Sequence, residues 1–172
     1  MDKAKVTELI SAEKIQQRVN ELGRQISADF AGTKMLFVVC VLKGSFMFTA
    51  DLVRSIQVPC SIEFIRASSY GKSRQSAGKV SFTCDIDIEN RDILLVEDII
   101  DTGLTISRIA QELQKQKPAS LRICTLLEKL STKKYPITAD YSGFDVPDRF
   151  VVGYGIDYAE KYRELPFIGI LE

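Results

Sequence analysis

The segment that most restricts the fold is 93–113, ILLVEDIIDTGLTISRIAQEL. Residues 92–96 are short, apolar and branched, which predicts a strand buried on both faces. Glu97-Asp98 and the turn Asp101-Thr102-Gly103-Leu104-Thr105 follow. A helix is then predicted over 105–116, with Ile106, Ile109, Ala110 and Leu113 in one apolar stripe and Pro118 ending it. A buried strand that runs through a short turn into a helix is the unit of a parallel α/β sheet.

The rest of the chain repeats that alternation. Ile15, Val19, Leu22, Ile26 and Phe30 recur every three or four residues, which predicts a helix over 11–30. Residues 35–42 form a continuous apolar run, short enough for a buried strand. Lys43-Gly44-Ser45 breaks it, and a helix is predicted over 46–56. Another strand is predicted over 61–66, with Ile62 and Phe64 on one face. The polar stretch SSYGKSRQSAG, 68–78, reads as a mobile loop. Val80, Phe82, Cys84, Ile86 and Ile88 alternate, so 79–88 reads as a strand able to pair with 61–66 as a flap. A strand over 121–127 follows the third helix. Residues 129–149 read as turns, and 150–153 are apolar again. The expected architecture is α/β, a mostly parallel sheet flanked by helices. Ligands in such sheets bind beyond the carboxyl ends of the strands.

The length, 172 residues, favours a single domain over 1–172. Net charge is zero, which argues against a broad surface for nucleic acid or anionic membrane. The N-terminus, Met1-Asp2-Lys3-Ala4-Lys5-Val6, is too polar for the apolar core of a signal peptide. The run 35–42 is too short to cross a bilayer, so the chain is expected to be cytoplasmic. Cys40, Cys60, Cys84 and Cys124 are scattered without a C-x-x-C pair, and reduced thiols are expected. There is no histidine. Proton transfer must then rest on Asp, Glu, Lys, Tyr or Cys. A metal, if used, is expected to be a hard ion held by oxygen, such as magnesium.

The chemistry concentrates after the strand at 92–96. Gly103 permits a tight turn, while Thr102, Thr105 and successive N–H groups lie at a helix N-terminus, a ready phosphate cradle. No G-K-[ST] or G-x-G-x-x-G is present, so this is neither a Walker A loop nor a dinucleotide fingerprint. Three carboxylates (Glu97, Asp98, Asp101) beside a phosphate repel it. They make sense if they accept from sugar hydroxyls or face a cation, and a ribose phosphate with magnesium supplies both. For Glu97-Asp98 alone, an acidic loop at a helix N-terminus is the simpler account.

The whole segment VEDIIDTGLT resembles the phosphoribosyl-pyrophosphate motif of type I phosphoribosyltransferases. Leu42-Lys43-Gly44 resembles the family's pyrophosphate loop, and Ser69-Tyr70 its mobile catalytic loop. Glu128-Lys129 resembles the place where a lysine reads the purine 6-oxo group. FVVGYGIDYAEKYRELP, 150–166, is similar to the hypoxanthine-guanine branch. These stretches span most of 35–170, in family order. The resemblance implies the type I fold with a small hood and a mobile catalytic loop. It also implies a homodimer or homotetramer acting on phosphoribosyl pyrophosphate and a 6-oxopurine, with Mg2+.

The roles below are those the resemblance implies. Glu97 and Asp98 hold the ribose hydroxyls. Asp101, Thr102, Gly103, Leu104 and Thr105 surround the 5′-phosphate, and Asp101 also reaches the purine; with no histidine in the chain, Asp101 is in addition the best candidate to accept the purine's proton. Leu104 stands where the family often has a polar or basic residue, but the contact there is through the backbone. Lys43 and Gly44 offer N–H groups to pyrophosphate, with a cis peptide often found there, and Arg163 pairs with its oxygens. Asp157 anchors magnesium through waters, with Glu97 and Asp98 as further metal candidates, and lies in the purine-binding segment. Phe150 stacks on the purine, Val151 contacts its edge, and Lys129 donates to O6. Ser69 and Tyr70 close over the reacting centre. A lysine donor disfavours adenine, whose exocyclic amine is also a donor. Xanthine is not excluded.

Two alternatives differ in kind. A regulatory sensor of phosphoribosyl pyrophosphate would keep the phosphate motif but lose the loop pair or the base-reading residues, which are present here. A transferase for another base would share the motif without Lys129 and the 150–158 stretch.

Overall fold

The computed structural model describes residues 5–66 and 87–172, together with the backbone of 68–69 and 80–81. The loop expected over 68–78, including Tyr70, otherwise lies outside the described residues, as does most of the strand expected over 79–88.

Five strands form a sheet in the order β3-β2-β6-β7-β8, every neighbouring pair parallel. They are β2 (Leu36–Leu42), β3 (Cys60–Arg66), β6 (Asp92–Ile100), β7 (Ser120–Glu128) and β8 (Tyr141–Asp145). Helices α1 (Ala12–Asp29), α2 (Phe46–Ser55) and α3 (Leu104–Lys115) cover it. The two faces of the strands bury separate cores. Leu36, Val38, Leu94, Val96 and Leu126 pack with α1 and α2. Val39, Val41, Ile93 and Leu95 pack with Ile106, Ile109 and Leu113 of α3. Alternate residues of one strand therefore serve opposite helical layers, as the continuous apolar runs require.

A smaller antiparallel sheet joins β1 (Val6–Ile10), β10 (Ile168–Leu171) and β9 (Val151–Val152), in the place of the expected hood. The two ends of the chain thus meet beside residues 150–152. Ser68–Ser69 (β4) pairs antiparallel with Val80–Ser81 (β5), the described remnant of the expected flap.

The structure corrects several boundaries. β6 runs to Ile100, four residues beyond the apolar stretch, because β7 continues beside it and pairs Glu97 with Thr125 and Ile100 with Glu128. The turn-rich stretch 129–149 contains β8, whose short run SGF carries too little apolar character to signal a strand. Arg18 of α1 donates to the carbonyls of Ser142 (2.7 Å) and Gly143 (3.1 Å), and the Tyr141 hydroxyl donates to Asp29 (2.8 Å), so tertiary contacts hold this strand at the edge. Ile62 and Phe64 do share a face, but edge strand β3 leaves both exposed, and Ile65 is the buried one.

Cys40, Cys60 and Cys124 are free thiols, and Cys84 lies outside the described residues. No helix among the described residues is long and apolar enough to cross a membrane.

α1 is capped by Ser11, whose side chain accepts from Lys14 N–H, and it buries Ile15, Val19, Leu22 and Ile26 against the sheet. Leu22 is fully enclosed. Leu22→Ala is expected to cost about 2–5 kcal/mol, read from urea denaturation. A cost below about 1 kcal/mol would mean that α1 is not part of the cooperative core.

Candidate active site

The site begins where β2 ends. The Leu42–Lys43 peptide is cis, as the resemblance implies. Gly44 follows, pressed against Asp98 from the end of β6. A Cβ on Gly44 would lie 1.7 Å from Asp98 Oδ2, so any side chain there would force the Asp98 carboxylate aside. Gly155 closes the third side. Its φ of +100° favours glycine, and a Cβ there would meet the Gly44 carbonyl at 2.2 Å. Two bare-backbone glycines and the Asp98 carboxylate therefore converge from three chain segments.

Glu97 and Asp98 are the last polar residues on β6 and are held by their own backbone. Glu97 accepts from Asp98 N–H (3.1 Å) and Asp98 from Ile99 N–H (2.9 Å). Glu97 is buried. Burial first, and then the neighbouring Asp98 charge, hold its carboxyl well above the usual range.

After Ile100 the chain turns through 101–103 into α3. Gly103, at φ +84°, is the N-cap and gives no side-chain cap. Leu104 N–H reaches Thr102 Oγ1 only at 3.4 Å. The first-turn N–H groups open onto a small cup of about 90 Å³, lined among others by Glu97, Asp101, Thr102, Gly103, Leu104 and Thr105. Lys134 and Tyr135 N–H groups bond to the Thr102 carbonyl (3.0 and 3.1 Å), fixing the turn from outside. The cup has the size and donors for one tetrahedral anion.

Lys129 follows β7, and its N–H bonds to the Ile100 carbonyl (2.9 Å). Its side chain is only 10% exposed, and the ammonium lies 3.5 Å from both Asp101 and Asp148. Phe150 is 70% exposed, with Tyr158 edge-on at 5.9 Å between ring centres. A large aromatic face left open to solvent offers a stacking surface. Val151 is buried in β9 and pairs with Ile170.

The segment 155–163 completes the rim. Arg163 donates to the Gly155 carbonyl (2.7 Å) and pairs with Asp157 (2.9 Å) and Glu160 (3.4 Å). Glu160 also pairs with the Lys43 ammonium (2.9 Å), joining this segment to the end of β2. Ala159 and Glu160 both have positive φ, at the tip of the turn closed by Tyr158 and Lys161.

The structure therefore draws Lys43, Gly44, Glu97, Asp98, 101–105, Lys129, Phe150, Val151, Asp157 and Arg163 to one end of the sheet. Ser69 is described only in its backbone, and Tyr70 lies outside the described residues. Sequence reasoning missed Asp148 and Glu160. Glu160 sits three residues from both Asp157 and Arg163, a weak signal. Nothing in the sequence links Asp148 to Lys129.

The family model for the phosphoribosyl transferase domain matches residues 5–159. The hypoxanthine-guanine phosphoribosyltransferase of Bacillus subtilis is 48% identical over 95% of this chain and 92% of its own. The chain belongs to the hypoxanthine-guanine phosphoribosyltransferase family. The hypoxanthine phosphoribosyltransferase of Salmonella typhimurium is 46% identical over 94% of this chain and 92% of its own. The crystal structure of a Bacillus anthracis hypoxanthine-guanine phosphoribosyltransferase, with a HEPES molecule in its active site, superposes with a TM-score of 0.92. It is 47% identical and covers 99% of this chain and 100% of that one. The type I phosphoribosyltransferase fold is thus common to this chain and its relatives.

The raised Glu97 carboxyl makes a signed prediction. Folded Glu97 keeps its proton as pH rises past about 4.5, where the unfolded chain releases it. Stability is therefore present below that pH and is lost as pH rises toward the folded value. Glu97→Gln keeps the oxygen that accepts from Asp98 N–H and removes the ionisation. The variant is expected to match the parent near pH 4 and to melt higher at pH 8, by about 2–4 °C for each kcal/mol recovered. Scanning calorimetry across that range checks it, and parallel curves for the two proteins would contradict it.

Proposed function

We propose that this enzyme transfers the 5-phosphoribosyl group from phosphoribosyl pyrophosphate to N9 of hypoxanthine or guanine, giving IMP or GMP and pyrophosphate. The observation that carries this reading is the placement of Lys129. A buried ammonium on β7 stands next to the Asp101 turn, which opens the phosphate cup on the adjacent strand β6. A donor for O6 of the base and a seat for the ribose phosphate are then neighbours.

The 5′-phosphate sits in the cup on the N–H groups of 102–105. Glu97 and Asp98 take the ribose hydroxyls. Lys43 and Arg163, which share Glu160 in this structure, are the cations for pyrophosphate. Phe150 stacks on the purine and Val151 lines its edge. As the bond from C1 to pyrophosphate oxygen breaks, N9 bonds to C1 from the other side. The purine proton passes to Asp101, the half-exposed carboxylate beside Lys129. A positioned base of this kind gives about 10²–10⁴ in rate. Ser69 and Tyr70 are assigned to closure over the centre, which keeps water from the activated sugar.

No group of three or more potential ligands gathers among the described residues. That fits magnesium, which is commonly held by one or two carboxylates with waters and substrate phosphates. Asp98, Asp157 and Glu97 are the candidate anchors, and the ion when bound neutralises the leaving pyrophosphate. We place the whole chain, 1–172, in one catalytic domain, cytoplasmic and assembled as a homodimer or homotetramer.

The deciding assay supplies phosphoribosyl pyrophosphate and magnesium with hypoxanthine, guanine, xanthine or adenine in turn. Nucleotide is expected from hypoxanthine or guanine and not from adenine. Tight binding of phosphoribosyl pyrophosphate without product from any base would favour a sensor instead. For the proton transfer, Asp101→Asn is expected to lower kcat by about tenfold or more while the melting temperature holds. Undiminished kcat at saturating substrates would remove Asp101 from that role.

A further inference from the structure

Lys129 is the only buried cation among the described residues. An enclosed ammonium needs compensating charge, and here it has two partners where one would neutralise it. Both lie at 3.5 Å, and they arrive from different parts of the chain. Asp101 comes from the turn before α3. Asp148 comes from the segment between β8 and β9.

Asp148 forms no other ion pair among the described residues. Its carboxylate caps no helix and makes no other hydrogen bond among the described residues, and it is 66% exposed. The backbone around it is nonetheless fixed. Val146 N–H bonds to the Glu128 carbonyl (2.9 Å), holding this segment beside the end of β7. Arg149 N–H bonds to the Pro147 carbonyl (2.8 Å), closing a tight turn around Asp148. Two residues later Phe150 presents its open face.

The two carboxylates are not equivalent once a purine arrives. Asp101 loses its charge, and with it most of its hold on Lys129, as it accepts a proton from the base. Lys129 must turn a donor toward O6. A lysine paired with Asp101 alone would resist both changes, because leaving Asp101 would strip a buried charge of its partner. We infer that Asp148 is a positioning residue for purine recognition: it holds the Lys129 ammonium independently of the phosphate-cup turn and stays its counter-ion while Asp101 serves the base. This rests on the reading of Lys129 as the O6 donor. Asp148 touches neither substrate nor the reacting atoms.

The test is steady-state kinetics with hypoxanthine and phosphoribosyl pyrophosphate varied in turn, on Asp148→Asn, Asp148→Glu, Lys129→Ala and the double variant Lys129→Ala/Asp148→Asn. Asp148→Asn is expected to raise KM for hypoxanthine by about tenfold and to leave KM for phosphoribosyl pyrophosphate within about twofold. Asp148→Glu should recover most of the loss. In the Lys129→Ala background, Asp148→Asn should add nothing, since the two act through one contact. A general structural role would move both KM values and the melting temperature together. If Lys129→Ala spoils hypoxanthine use and Asp148→Asn does not, the inference is overturned and the Lys129 reading stands. A full further loss in the double variant overturns it too. Normal hypoxanthine KM in Lys129→Ala removes the reading and the inference together.

Discussion

The end of β2, the end of β6 and the segment after β9 meet where two glycines let the chain pack closely. Gly44 lies under the Asp98 carboxylate, and Gly155 lies on the Gly44 carbonyl. Every element of the candidate site is positioned relative to this contact. It sets the Lys43 side chain against Glu160 and brings Asp157 and Arg163 over the strand ends. It also fixes Asp98 beside the buried Glu97. A methyl group at Gly44 would displace the Asp98 carboxylate, and one at Gly155 would collide with the Gly44 backbone itself.

Around that contact the site is a lattice of opposed charges in a chain of zero net charge. Lys129 stands between Asp101 and Asp148, and Glu160 stands between Lys43 and Arg163. An anionic substrate with a polar base must therefore exchange partners as it binds. Exchange costs less than creating bare charges at a partly desolvated surface, because each group is compensated before and after. Glu97 and Asp98 are the exceptions, with no cation paired to either among the described residues. Burial and the neighbouring Asp98 charge raise the Glu97 carboxyl, so the free protein carries two adjacent carboxyls without a counter-ion where the ribose is proposed to bind.

Much of this was legible in the chain itself. The apolar periods located the three helices and four of the five strands of the large sheet to within a few residues, because all but the edge strand β3 bury a continuous face. The motif from 96 to 105 marked the phosphate cradle, since its residue types make sense only together. Elements with weaker burial were illegible. Strands β1, β8 and β10 are short and lie at an edge or in the small sheet, and long-range partners rather than their own composition hold them extended. Arg18, Asp29 and residue 6 paired with 171 are such partners.

The sequence by itself determined the α/β class, the strand-to-helix turn at 101–104 and the identity of the groups that carry chemistry. These depend on local spacing and on side-chain type. Only the tertiary structure decided which charges face one another. Lys129 is 19 residues from Asp148 and 28 from Asp101, and Lys43 is 117 from Glu160. No local period encodes such pairs. They arise because parallel strands deliver their carboxyl ends to one edge, and the register of that sheet puts distant side chains within 4 Å.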